Sequence, residues 1–209
     1  MYYALLAKIA YYFTHRKAAP LPAADRWAIA LAAIYSRVND GDDAQLAPLS
    51  ALETATSQNM LSEGWGVTGG TAAERHDQVV GVLDWLARQG HRAALAEPGD
   101  HEAVQDLLAW DIARNVMVAR HAFHAGFITQ AEAWSHIRAA ARGAQQAYPS
   151  WEEYGRRFLR GRLRWARAHD RRFDKAVDYL VKSRRSPWRR LDWHTPLPWP
   201  ASETAVASS

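Results

Sequence analysis

Four times the chain writes a helix start in the same way: Ser50-Ala-Leu-Glu53, Thr71-Ala-Ala-Glu74, Thr129-Gln-Ala-Glu132 and Ser150-Trp-Glu-Glu153. In this spacing the hydroxyl of Ser50, Thr71, Thr129 or Ser150 accepts the amide of the third helical residue. The glutamate then reaches back to the cap, so Glu74, Glu132 and Glu153 are read as caps and not as catalysts. Stops alternate with the starts: Asn39-Asp40-Gly41, Gly64, Gly90, Gly126 and Pro149. Helices are expected over about 2 to 15, 25 to 39, 50 to 61, 72 to 89, 101 to 125, 130 to 147 and 151 to 181. No segment alternates β-branched and polar residues as a strand does, so the expectation is an all-α fold of about seven helices in a single compact domain.

Between starts and stops, "GWGVTGG" at 64 to 70 reads as a tight loop pinned by the buried indole of Trp65, and "AEPGDH" at 96 to 101 as a turn and N-cap. After Ser186 the composition changes to "PWRRLDWHTPLPWPASETAVASS", where prolines oppose helix while tryptophans still seek a surface. The expected organisation is an N-terminal amphipathic helix and linker (1–24), a helical domain (25–186) and a tail (187–209). That tail is read as extended against the body from Pro187 to about Trp199 and disordered over the last nine residues.

The opening "MYYALLAKIAYYFTHRK" has no basic residue before its apolar run and carries Lys8 inside it, so it does not read as a secretory signal. No run approaches the roughly 18 apolar residues of a membrane span. There is no cysteine, which excludes disulfides, thiolate metal sites and a cysteine nucleophile. A cytoplasmic protein is expected. Ten tryptophans are many for 209 residues, and most are read as anchors between helices.

Polar residues interrupt two apolar stripes. On the fifth helix Val104, Leu107, Leu108, Ile112, Val116, Val118, Ala119 and Phe123 share a face, with Asp111 and Asn115 near its middle and Arg114 at its edge. On the seventh, Trp151, Tyr154, Phe158, Trp165 and Ala166 form the stripe, and Arg162 projects into it beside Gly161. A buried carboxylate without a partner is costly, so the structural reading pairs Asp111 with Arg162 or Arg114 across the interface. The functional reading has Asp111, Arg114, Asn115 and Arg162 lining a cavity that holds a ligand, with Asp111 as base or acceptor and an arginine as anion clamp.

Charge is uneven. Residues 156–190 hold 14 Lys/Arg against 3 Asp, while the remainder holds 12 against 19. The bland reading packs this basic helix beside acidic neighbours; the alternative offers Arg156, Arg157, Arg160, Arg164, Arg167 and Arg171 to nucleic acid. His121, His124, Glu132 and His136 have spacings found in helical metal sites, but the two histidines of the fifth helix project to its polar side. Solvated histidines, no metal and no cofactor are therefore expected. Phosphate loops, dinucleotide fingerprints, nucleophile elbows and zinc-protease helices are all missing from the sequence.

Four motifs in order, "WGV" (65–67), "WDIAR" (110–114), "AGFITQAEAW" (125–134) and "SWEEYGRRFLRGRLRW" (150–165), resemble the bacterial family of unknown function numbered 1266, over about residues 26 to 195. Two departures are that "TGGTAAE" follows Val67 where relatives often have a Ser-Arg-Glu type start, and that Phe127 replaces a frequent tyrosine. The resemblance implies a compact helical bacterial protein and brings no established activity, catalytic residue or cofactor. Its motif positions Trp65, Trp110, Asp111, Arg114, Gly126, Glu132, Trp134, Trp151, Gly161, Arg162 and Trp165 coincide largely with caps, anchors and interior polar residues. Three functions follow as expectations. The first is a non-catalytic protein-binding module acting by occlusion or scaffolding, for example a toxin-neutralising immunity protein. The second is a small-molecule-binding or enzymatic protein using the interior Asp/Arg site, and the third is nucleic-acid binding through 156–190.

Overall fold

In a computed structural model of the chain, residues 21–39, 51–88 and 90–199 are described. The expected helix at 2 to 15, the Ser50 cap and the last nine residues lie outside them. The described residues are helical and contain no strand: α1 (Ala23–Ala30), α2 (Ala33–Val38), α3 (Ala51–Trp65), α4 (Ala72–Ala87), α5 (Gly90–Leu95), α6 (His101–His124), α7 (Gln130–Ala147), α8 (Trp151–Ala166), α9 (Arg171–Lys182) and α10 (Pro187–Arg190).

Capping fixes several starts. Thr71 and Thr129 form complete capping boxes with Glu74 and Glu132, and Asp100 accepts the amide of Ala103 to open α6. Ser150 accepts the amide of Glu153, but the Glu153 carboxylate turns to Arg156 and Arg157 instead of returning to the cap, so this box is half made.

Helix α6 is the axis, with α3, α4, α5, α7 and α8 packed around it. Most of its length is buried, and Ala109, Ala113, Ala119 and Ala122 keep its surface low enough for neighbours on several sides. The closest approach is to α8 at Gly161, where a Cβ would lie 2.2 Å from the Asp106 carbonyl oxygen and 2.9 Å from the Trp110 Cβ. Only glycine lets the two backbones meet there.

Two expected helices are broken. The stretch read as 25 to 39 divides at Leu31–Ala32, which leaves helical carbonyls without their usual partners. Distant side chains take them: Trp188 Nε1 donates to Ala30 O at 2.8 Å and the Tyr154 hydroxyl donates to Leu31 O at 3.0 Å. The stretch read as 151 to 181 divides where Arg167 enters the left-handed region (φ 50°), after which the Asp170 side chain accepts the Arg172 amide and opens α9. Helix α3 runs through the expected stop at Gly64 to Trp65, four residues beyond the end expected at about 61.

The tail is not wholly extended. Ser186 caps the turn α10, the chain then runs over the body, and Trp188 and Trp193 are buried. With Trp27 and Trp151 they form a cluster in which Trp151 and Trp188 stack at 5.2 Å and Trp193 meets Trp27 and Trp151 edge-on. Each indole N–H of the last three is donated to a backbone carbonyl, of Leu191, Ala30 and Tyr148 respectively for Trp151, Trp188 and Trp193.

Candidate functional site

Asp111, Arg114 and Asn115 leave α6 toward α4 and α5. Asn115 Nδ2 donates to Leu83 O in α4 at 3.0 Å, which ties the two helices together. Gly90, expected to end a helix, instead begins α5, and the Trp85 indole lies directly over it: a Cβ at 90 would meet three ring atoms at 2.0 to 2.4 Å. That approach brings His91 edge-on to Trp85, with ring centroids 4.5 Å apart, and places its Nδ1 in a hydrogen bond with Asp111 Oδ1. Both residues are buried, Asp111 to 1% exposure. Arg114 Nη1 stands 3.5 Å from His91 Nε2. A guanidinium only donates, so Nε2 is the accepting nitrogen and Nδ1 carries the proton given to Asp111.

Arg114 is half-buried among three indoles, 4.3 Å from the Trp65 ring centroid, 4.9 Å from Trp110 and 5.0 Å from Trp165. Burial pulls its pKa down from the usual arginine range, while Tyr35 and Asp111 act in the opposite sense. Among the described residues no carboxylate forms an ion pair with it. Beside it, Tyr35 Oη, Trp110 Nε1, Asp111 Oδ2, Arg114 Nε and Asn115 Oδ1 are buried polar atoms with no protein partner.

Arg114 and His91 border a wide-mouthed cleft of about 680 Å³. The end of α3 and the following loop contribute Gly64, Trp65 and Gly66; α4 contributes Gln78, Gly81, Val82 and Trp85; α5 contributes His91 and α6 Arg114. Gln78 Oε1 accepts the amides of Thr68 and Gly69 at 2.9 and 3.0 Å, fastening the glycine loop to α4. The buried residue that pins this loop is Val67; Trp65 is half-buried and forms the cleft wall.

The structure separates residues that the helical projection brought together. Arg162 does not pair with Asp111: its Nη2 lies 3.4 Å from Asp170 Oδ2, its Nη1 donates to Ala168 O at 3.3 Å, and its guanidinium covers Phe173 at 4.3 Å. The cause is the break at Arg167, which folds the chain back and delivers Asp170 beneath Arg162. Arg114 stays near Asp111 but bridges to His91 instead of closing an ion pair. Of the four candidates, Arg114 lines the cleft, Asp111 and Asn115 lie behind it, and Arg162 is elsewhere.

Part of the basic face of α8 is turned to one buried acid, while Arg156, Arg164 and Arg167 keep exposed surface. Asp106, fully buried, accepts from Arg157 Nη1 at 3.1 Å and Arg160 Nε at 3.0 Å on one oxygen, and from Arg164 Nε at 3.1 Å on the other. Arg156 holds Glu153. Three of the six arginines read as a nucleic-acid face are thus committed to one aspartate. The histidines are not solvated: His124 is buried, and half-buried His121 bonds Ser57 through Nδ1 at 2.9 Å. Burial, helped by Arg120 and His124, pushes the His121 pKa down to about 4. Glu132 binds His76 at 2.8 Å in addition to its cap. Among the described residues no group of three or more His, Asp or Glu is arranged to hold a metal ion.

Two residues central to this picture escape the sequence reading. His91 lies in a helix of six residues with too little periodicity to give it a face, twenty positions from Asp111. Asp106 has a signal that pattern reading passes over: Arg157, Arg160 and Arg164 are spaced by three and four, a single helical face that requires an acid opposite.

Residues 100–193 match the model of a family described as "Protein of unknown function (DUF1266)". The matched segment runs from the cap of α6 through Trp193 and includes the motifs at 110–114, 125–134 and 150–165. It is shorter than the 26 to 195 of the resemblance, and leaves "WGV", α4 and His91 outside. No curated protein and no solved structure matches the chain significantly.

Proposed function

We propose that this protein binds a small anionic molecule in the cleft between α3, α4, α5 and α6, with Arg114 as the anion clamp and His91, oriented by Asp111, as the proton-transfer group facing the ligand. The observation that carries this reading is the Arg114 guanidinium: it borders an open cleft and is surrounded by indoles, with no carboxylate paired to it among the described residues. A half-buried cation without a counterion is held at a cost that a bound anion offsets. The His91–Asp111 pair adds chemistry. An aspartate behind Nδ1 fixes the ring and its tautomer, and the long 3.5 Å contact from Arg114 to Nε2 is one that a ligand drawing the guanidinium to itself would replace, freeing Nε2 to accept a proton. Asp111 acts through the histidine, since it is buried and does not line the cleft.

The test is thermal unfolding in the presence of a panel of small carboxylates and phosphates. A ligand at a hundred times its Kd stabilises by about 2.7 kcal/mol, which for a chain of this size is a rise of about 5–11 °C. At least one anion raises the melting temperature of the wild type and leaves that of Arg114→Met unmoved; a panel without effect on either removes the proposal.

The occlusion reading, including an immunity protein, draws support from a different observation: Leu163 on α8 is 45% exposed and Trp165, on another side of the same helix, 47%, large apolar side chains that a protein partner would cover. Recovery of a stoichiometric partner that is lost on Leu163→Glu supports it, and its absence from host pull-downs argues against it. A bacterial, cytoplasmic setting belongs to both proposals; no helix among the described residues is long and apolar enough to cross a membrane.

A further inference from the structure

The walls of the cleft narrow the ligand class. Beyond Arg114 and His91, the lining consists of two indoles, Val82, Gln78 and three glycines. A Cβ built on Gly64, Gly66 or Gly81 would meet nothing within 4 Å. Gly66 has φ +68° and needs glycine for its backbone. Gly81 has no such need. It stands within α4, where glycine weakens a helix, and no neighbour approaches closely enough to demand it. What a side chain at 81 would occupy is the cleft. Gln78, Gly81, Val82 and Trp85 recur at steps of three and four along α4, so position 81 lies on the cleft-lining face between the Trp85 ring and the loop-fastening Gln78.

Trp85 supplies the platform. Its indole is packed on Gly90 and meets His91 edge-on, and the residue is nonetheless 39% exposed and lines the cleft, which leaves aromatic surface for a ligand to cover. Trp65 differs: Arg114 covers it at 4.3 Å, which holds the cation at the end of the apolar wall. The resulting lining is an aromatic surface, an open strip of helix backbone beside it, and one guanidinium with no carboxylate in ion-pair contact.

We infer that the ligand is a planar, ring-bearing monoanion of the aryl carboxylate class, its ring lying on Trp85 over Gly81 and its carboxylate at Arg114. This rests on the anion-binding reading above and adds the ring. A flat π-system gains offset stacking from the indole, and a thin ring fits over Gly81 where a puckered one would meet the helix backbone. Arg114 is the one guanidinium among the cleft-lining residues, while the Asp111 carboxylate lies behind them, so the cleft presents a single fork for one carboxylate and not the several cationic groups a nucleotide would require.

The test is isothermal titration of the full chain with 2-naphthoate, cyclohexanecarboxylate, 2-naphthamide, acetate and inorganic phosphate. The inference expects 2-naphthoate to bind at least tenfold more tightly than each of the others. It also expects Gly81→Leu to abolish naphthoate binding while its melting temperature is retained or raised. Trp85→Leu, which keeps an apolar cover over Gly90, gives a second and independent loss if Gly81→Leu fails to fold. Acetate or phosphate binding as tightly as naphthoate, dependent on Arg114, overturns the ring and leaves the anion site standing. No binding by any probe overturns both, and naphthoate binding unchanged in Gly81→Leu overturns the placement in this cleft.

Discussion

Asp106→Asn tests a buried charge network with almost no change in volume. The wild-type carboxylate is fully buried and accepts three guanidinium hydrogen bonds at 3.0 to 3.1 Å. At about 1.5–3 kcal/mol for each bond to a charged group, simple addition gives roughly 4.5–9 kcal/mol. That sum overstates the loss. Arg160 and Arg164 are 36% and 37% exposed at their side chains and can swing into water, whereas Arg157 is 17% exposed and stays captive with only Glu153 beside it. The amide also keeps one accepting oxygen. The expected cost is therefore that of breaking one buried pair, about 3–5 kcal/mol. For a chain of this length each kcal/mol lowers the melting temperature by about 2–4 °C, so the variant should melt about 6–20 °C below wild type. Circular dichroism on heating and a urea titration followed by tryptophan fluorescence measure it. A loss under about 1 kcal/mol in both would refute the argument that α6 and α8 are joined through Asp106.

Other expectations follow from the same contacts. Gly161→Ala must push α6 and α8 apart, because the added methyl would lie 2.2 Å from the Asp106 carbonyl oxygen; a loss of at least about 2 kcal/mol is expected from overpacking. Gly81→Ala, facing open space in α4, should instead stabilise by about 0.5–1 kcal/mol, and a denaturant titration of the two variants side by side checks both signs. Trp188→Phe keeps the ring and removes the N–H given to Ala30 O, leaving a buried carbonyl at the α1–α2 break unsatisfied, at an expected cost of about 1–3 kcal/mol by the same measurement.

The His76–Glu132 pair predicts a window of pH. The hydrogen bond that His76 donates to the Glu132 carboxylate raises the His76 pKa above its usual 6.5; for Glu132, partial burial opposes the shift but the bonds from His76 and Thr129 prevail and lower it to about 2. A raised histidine contributes stability that is present below about 6.5 and fades as pH rises through its folded value. A lowered glutamate contributes stability that is present above about 4.5 and fades as pH falls toward 2. The stability difference between wild type and His76→Gln should thus be largest between about pH 4.5 and 6.5 and shrink on both sides. Both side chains are more than a third exposed, at 39% and 34%, so the effect is small and weakens with salt. A difference that grows above pH 8 contradicts the pairing.

Features readable in the sequence are those decided within a few residues. A threonine and a glutamate three apart make a cap wherever the chain goes, so the starts of α4 and α7 are visible without any partner. The breaks at Leu31–Ala32 and Arg167 are not visible, because what sustains the first is a tail tryptophan more than 150 residues away and a tyrosine on α8. Asp111 stands out because it interrupts an apolar stripe, but the only partners that periodicity offers it are arginines on long helices with a readable face. The histidine it bonds lies on a six-residue helix whose position depends on Trp85 covering Gly90, a contact that no periodicity reports. Arg162 fails as its partner for a geometric reason: the helix bearing it ends sooner than its pattern, and the returning chain supplies a closer acid.

Helix α6 carries two buried aspartates five residues apart, and the difference between them separates scaffold from site. Five residues turn a helix by about 140°, so Asp106 faces α8 while Asp111 faces α4 and α5. Asp106 is answered by three arginines, each in an ion pair with it, and it does not line the cleft. Asp111 receives a histidine, with one oxygen left without a protein partner, and the nearest guanidinium is held by indoles instead of by an acid. A purely structural solution was available on the same helix and is used at 106. At 111 the charges are left able to respond to a molecule arriving in the cleft, with a proton acceptor and a cation side by side at its edge, which is why ligand binding there is the reading to test first.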